Sequence, residues 1–126
     1  MKEAVTEVQE IIEDSVLSDK ISKIYLNTID EDDYNADKTV ILIQDVNADT
    51  TIYGNNKIYG IARKIEVQIF FSNIFQGSYV ETEVELIREM KQKHWLMSDI
   101  YTVDVDPQEN IRYSTFYFVK NQEIDF

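Results

Sequence analysis

Apolar side chains recur along this chain at two spacings, near 3.6 residues and near 2, and the order of the changes predicts its elements. Over residues 3–17, Val5, Val8, Ile12 and Val16 keep helical spacing with no Gly or Pro between them. They predict an N-terminal helix within residues 1–20. Glu3, Glu7, Glu10 and Asp14 line its other side. Like charges three or four apart weaken an isolated helix, so packing must hold this one in place. Lys23–Thr28 predicts a short strand. Thr39–Val46 is β-branched and apolar on both faces, the pattern of a central strand. Asn47–Lys57, with Gly54-Asn55-Asn56 suited to positive φ, predicts a loop or small hairpin projecting from the sheet. In Ile61–Phe71, Ile61, Ile65, Val67, Ile69 and Phe71 alternate with Lys64, Glu66 and Gln68, so one face is expected inside and the other outside.

Ser78 followed by Glu81 is a capping box, and Val80, Val84, Ile87 and Met90 predict a core stripe running to about Lys93. Trp95 is expected to plug the junction between that helix and the sheet. Two strands follow near Tyr101–Asp106 and Tyr113–Lys120, leaving Asn121–Phe126 as a flexible tail. The order α-β-β-(β)-β-α-β-β over one domain, residues 1–126, predicts an α+β fold: a mixed, mostly antiparallel sheet packed by two helices on one face. In the last strand Tyr113, Tyr117 and Val119 point one way and Phe116 and Phe118 the other. One set meets the helices; the second puts aromatic rings where a two-layer domain is wet, which favours a protein partner and most simply another copy of the chain.

Charge changes the picture of what that partner is. The 126 residues carry 24 acids against 12 bases, a net −12, and residues 1–50 alone hold 13 acids and 4 bases. Gripping a nucleic acid needs clustered Lys and Arg, so specific binding to DNA or to an anionic membrane is not expected. There is no cysteine, which excludes disulfides, cysteine-ligated metals and thiol catalysis. The longest purely apolar run is four residues, Val40–Ile43, and the first residues lack the apolar core of a signal peptide, so a soluble cytoplasmic chain is expected.

Candidate chemistry adds little. Asp33, Asn35 and Asp37 occupy positions 1, 3 and 5 of a calcium-type loop, but Lys38 stands where Gly is needed and Gln44 where a bidentate Glu is needed. His94, the sole histidine, suits a helix C-terminus, where the dipole favours a cation, better than it suits a general base. Asp104 and Asp106 fit a solvated rim better than a metal site. No nucleophile elbow, phosphate loop or dinucleotide fingerprint is present. The expectation is a protein that is not an enzyme and holds no cofactor or metal.

Several stretches taken together resemble the tail-terminator or tail-completion proteins of the neck of siphophages infecting Gram-positive bacteria. They are Lys64-Ile65-Glu66-Val67-Gln68-Ile69-Phe70-Phe71-Ser72, the acidic helix closing on His94-Trp95, Thr102-Val103-Asp104-Val105-Asp106-Pro107 and Thr115-Phe116-Tyr117-Phe118. An acidic loop followed by Val40-Ile41-Leu42-Ile43 belongs to the same pattern, and the likeness covers roughly residues 24–120. It implies a ring, typically of six copies, that caps the tail tube, ends its polymerisation and joins the tail to a head connector or stopper protein, in a virion assembled in the host cytoplasm. Under it, subunit or partner contacts are expected at Tyr53, Asn55, Asn56, Tyr113, Phe116, Tyr117 and Phe118. Glu3, Glu7, Glu10, Asp30, Asp32 and Asp33 become candidate acids of a lumen through which DNA passes without specific binding. The alternative is a small acidic inhibitor that imitates DNA and binds a basic host protein.

Overall fold

A computed structural model describes residues 3–28, 38–46, 50–52, 58–72, 74–104 and 112–125. Helix α1 (Ala4–Glu13) turns Ala4, Val5, Val8 and Ile12 inward. It stops earlier than its apolar spacing predicts because Ser15 leaves the helical region. The Ser15 hydroxyl donates to the Ile12 carbonyl at 2.6 Å and accepts from the Leu17 amide at 3.1 Å. A 3₁₀ turn, Val16–Lys20, follows, and it buries Leu17 while leaving Val16 exposed, so Val16 is not a core position.

The strands are β1 (Lys23–Leu26), β2 (Val40–Val46), β3 (Thr50–Ile52), β4 (Ile58–Phe70), β5 (Leu96–Asp104) and β6 (Arg112–Asp125). They form one sheet in the order β1-β2-β4-β6-β5, with β3 pairing alongside β4. Among the described residues only β1 and β2 pair parallel; the other pairs are antiparallel. β2 is central, with Val40–Ile43 buried, as its two apolar faces require. β3 pairs antiparallel with the start of β4, Thr50 opposite Ile61 and Ile52 opposite Tyr59, while residues 47–49 and 53–57 of the expected loop or hairpin lie outside the described residues. β6 is longer than its apolar alternation: it stays paired to β4 from Phe70↔Tyr113 to Ile58↔Asp125, so residues 121–125 are strand and not a flexible tail. β4 and β6 thus run beyond β2 and β5 as an arm, bordered on one side by β3.

Helix α2 (Tyr79–Gln92) lies with α1 on one face of the sheet. The Ser78 hydroxyl accepts from the Glu81 amide at 3.1 Å, the Ser78 half of the expected capping box. The buried residues of α2 are Thr82, Glu83, Leu86 and Met90; Met90 is the expected core position and Ile87 packs half-buried against the core, but Val80 and Val84 face solvent. Glu83 sets this phase. Its carboxylate accepts from Arg112 at 3.0 and 3.2 Å and from the Ser114 hydroxyl at 2.7 Å, which turns a polar position toward β6. The helix ends in a Schellman arrangement, Trp95 N–H to the Met90 carbonyl and His94 N–H to the Lys91 carbonyl, both 3.0 Å. His94 takes the left-handed position (φ 71°) that glycine usually fills. Trp95 then drops into the core and β5 starts at once. Between the helices and the sheet, Ile41, Ile43, Ile65, Val67, Ile69, Phe116 and Phe118 meet Val8, Ile12, Leu86, Met90 and Trp95.

Candidate interaction surface

Register decides which aromatic side chains of β6 are available. Phe116 pairs with Val67 and Phe118 with Ile65, both on the helix-covered face, and both rings are fully buried and stacked at 6.0 Å. They are core residues, so their expected place at a subunit contact is corrected. Tyr113 and Tyr117 point to the opposite face and stay half-buried. Tyr113 packs on Phe70 at 5.8 Å, and Phe70 borders a second apolar cluster of Tyr25, Val40 and Leu42 on that outer face. Tyr117 meets Tyr101 edge-on at 6.1 Å and lies under the Lys64 ammonium at 5.1 Å. A hydrogen bond to the Glu66 carboxylate, with some burial, raises the Tyr117 phenol above the ordinary tyrosine value. Tyr53, Asn55 and Asn56 lie outside the described residues.

The larger unsatisfied surface is one that alternation misses. β5 is an edge strand, and among the described residues no strand pairs with its outer side. It presents apolar side chains on both faces. Met97 and Ile100 share the helix face with their partners Phe118 and Phe116, while Leu96 and Tyr101 lie on the other face. Leu96 and Tyr101 are 57% and 59% exposed, where a core position would be near zero. α2 packs against β5 and adds exposed Val80 and Val84, which share a helix flank with Ile87. The signal was present in Leu96-Met97-Ser98-Asp99-Ile100-Tyr101, but a bulge between Met97 and Asp99 breaks the two-residue rhythm.

The acids divide into two groups. Glu7 is not a free lumen acid: it bridges α1 to the sheet, with Oε2 accepting from Arg63 at 3.3 Å and Oε1 from Lys120 and from the Trp95 indole N–H. Arg63 and Lys120 also lie over the Trp95 ring at 5.8 and 5.7 Å. Burial pushes the Glu7 carboxyl up, but the Lys120 hydrogen bond and charge, with Trp95 and Arg63, outweigh it and hold the group below the usual range. Glu3 and Glu10 are exposed, and Asp30, Asp32 and Asp33 lie outside the described residues, as do Asp33, Asn35 and Asp37 of the calcium-type pattern. An open groove of about 450 Å³ between α1 and the end of α2 is lined by Glu10, Asp14, Lys93 and His94 among others, so both signs of charge face it. Among the described residues no group of three metal-ligating side chains comes together, and no helix is long and apolar enough to cross a membrane.

The arrangement defines an acidic α+β domain in which most of the exposed large apolar side chains of the described residues, Val16 and Ile74 apart, lie on α2 and the open β5 edge. The chain belongs to the DUF806 family, described as a protein of unknown function, with residues 3–123 matched. No curated protein matches it in sequence.

Proposed function

We propose that this chain is a structural subunit of a siphophage neck, assembling as a ring, typically of six, that caps the tail tube and joins it to a head connector or stopper protein. The observation that carries the proposal is the exposed apolar flank of β5 and α2 on a chain otherwise rich in solvated acid. An apolar patch of this kind on a protein surface is often a functional contact. In a closed ring every subunit buries the same two different patches, and this flank supplies one of them. The resemblance in Lys64–Ser72, His94-Trp95 and Thr115–Phe118 supports reading that ring as a neck component. Exposed Glu3 and Glu10, with Asp30, Asp32 and Asp33, remain the candidate lumen acids. In this reading the work is architectural: no catalytic group or cofactor takes part, and DNA passes a like-charged wall without being held.

Electron microscopy of the purified protein mixed with isolated tail tubes tests this. Discs or caps at tube ends are expected; a protein that stays monomeric and ignores the tubes removes the proposal. The alternative of a DNA-imitating inhibitor draws on the exposed acids of α1 but gives the β5 flank no task. It requires a basic host protein to be retained in a low-salt pull-down.

A further inference from the structure

The geometry points to the outer edge of β5 as the place where a second copy of this chain joins strand to strand, so that the sheet continues from one subunit into the next. This deepens the ring reading and rests on it. Three observations converge. First, β5 carries apolar side chains on both faces, the composition of an inner strand, yet it lies at the border of the sheet. Adding a strand would make it central and set new side chains beside Leu96 and Tyr101 on one face and beside Met97 and Ile100 on the other.

Second, the edge is only partly protected. Natural edges are blunted by charged side chains, Pro, bulges or short length, and β5 has a bulge at Ser98 with Asp99 and Asp104. β5 has nine residues with neither Lys nor Pro, and past the bulge at Ser98 the stretch Asp99–Asp104 pairs regularly with β6.

Third, area and charge select the occupant. With Val80 and Val84 the exposed apolar surface is on the order of 500 Å², a large share of the roughly 800 Å² per partner in a stable protein contact. Two copies at −12 each repel, and β5 holds two acids, Asp99 and Asp104, against thirteen in the first 50 residues, so like subunits meet less opposition there. A basic partner would be drawn instead to the acids of α1.

The test combines sedimentation with amide exchange on the intact chain. Wild type is expected to associate as concentration rises, with the β5 amides that face away from β6 becoming protected. The double variant Leu96→Lys/Ile100→Lys is expected to weaken association at least tenfold while its circular dichroism and melting temperature match wild type. Val16→Lys, equally exposed but in the 3₁₀ turn after α1, should behave as wild type. If wild type associates while the β5 amides stay unprotected, or if the folded double variant associates normally, the edge contact is wrong and the ring reading survives. Should the double variant fail to fold, the exchange pattern of wild type decides alone. A wild type that stays single at high concentration and on tail tubes overturns both.

Discussion

Replacing Trp95 with alanine removes the indole that lies at the joint of α2, β5 and the sheet. The side chain is fully buried and belongs to the main core cluster, so the loss includes the transfer energy of the ring and the cavity left behind, together about 3–5 kcal/mol. The indole hydrogen bond to Glu7 is long at 3.4 Å, and Glu7 keeps Lys120 and Arg63, so no buried carboxylate is orphaned and this bond contributes well under about 1 kcal/mol. Two cations lose the ring face beneath them, at about 0.5–1 kcal/mol each. The expected total is about 4–7 kcal/mol, a large part of the 5–15 kcal/mol typical of a domain. For a chain of this length that lowers the melting temperature by roughly 12–25 °C. Because Trp95 is the only tryptophan, urea unfolding of the variant is followed by circular dichroism at 222 nm, while wild type is followed also by fluorescence. A loss below about 1.5 kcal/mol, outside the range for deleting a buried aromatic, would refute the view that Trp95 closes this joint.

Glu83→Ala should cost about 3 kcal/mol, since it leaves Arg112 partly buried without its carboxylate, and a Glu83→Leu/Arg112→Met double variant should recover much of it; chemical denaturation measures both. His94→Gly should stabilise by about 0.5–1 kcal/mol by relieving left-handed strain at the end of α2, read as a rise of a few degrees in melting temperature. Glu7 has a carboxyl pKa lowered in the folded state. Its contribution is therefore present above the unfolded value of about 4.3 and is lost as pH falls through the lower folded value. Glu7→Gln should lower stability at pH 7 and flatten the acid limb of a stability–pH curve; an acid limb as steep as wild type would show that other groups cause it.

Much of the architecture was legible in local pattern. The two apolar faces of Val40–Ile43, the alternation through Ile65, Val67 and Ile69, the Ser78 cap and the Trp95 plug all follow from side chains close in sequence. What escaped depends on distant partners. The phase of α2 turns on Glu83 meeting residues 29 and 31 positions away, which no helical wheel of valines contains. The two faces of β6 were legible, but only the register with β4 tells that Phe116 and Phe118 are the inner pair. Glu7 read as one acid in a solvated row, because Lys120 lies 113 positions away. At the β5 flank, the bulge at Ser98 concealed the strand that leaves the most apolar surface open.

The β4–β6 ladder joins residues from 43 positions apart at Phe70↔Tyr113 to 67 apart at Ile58↔Asp125. Ladders of such long range close late and slowly, in milliseconds to seconds where local structure takes microseconds. Until residues 112–125 have left the ribosome, β4 and β5 both lack the strand that lies between them, and the rings of Phe71 and Trp95 have no completed interior to enter. A nascent chain in that condition is open to wrong pairing. Thirteen acids already made in the first 50 residues would keep neighbouring nascent chains apart during that interval, so the same charge that shapes the finished surface also guards its synthesis.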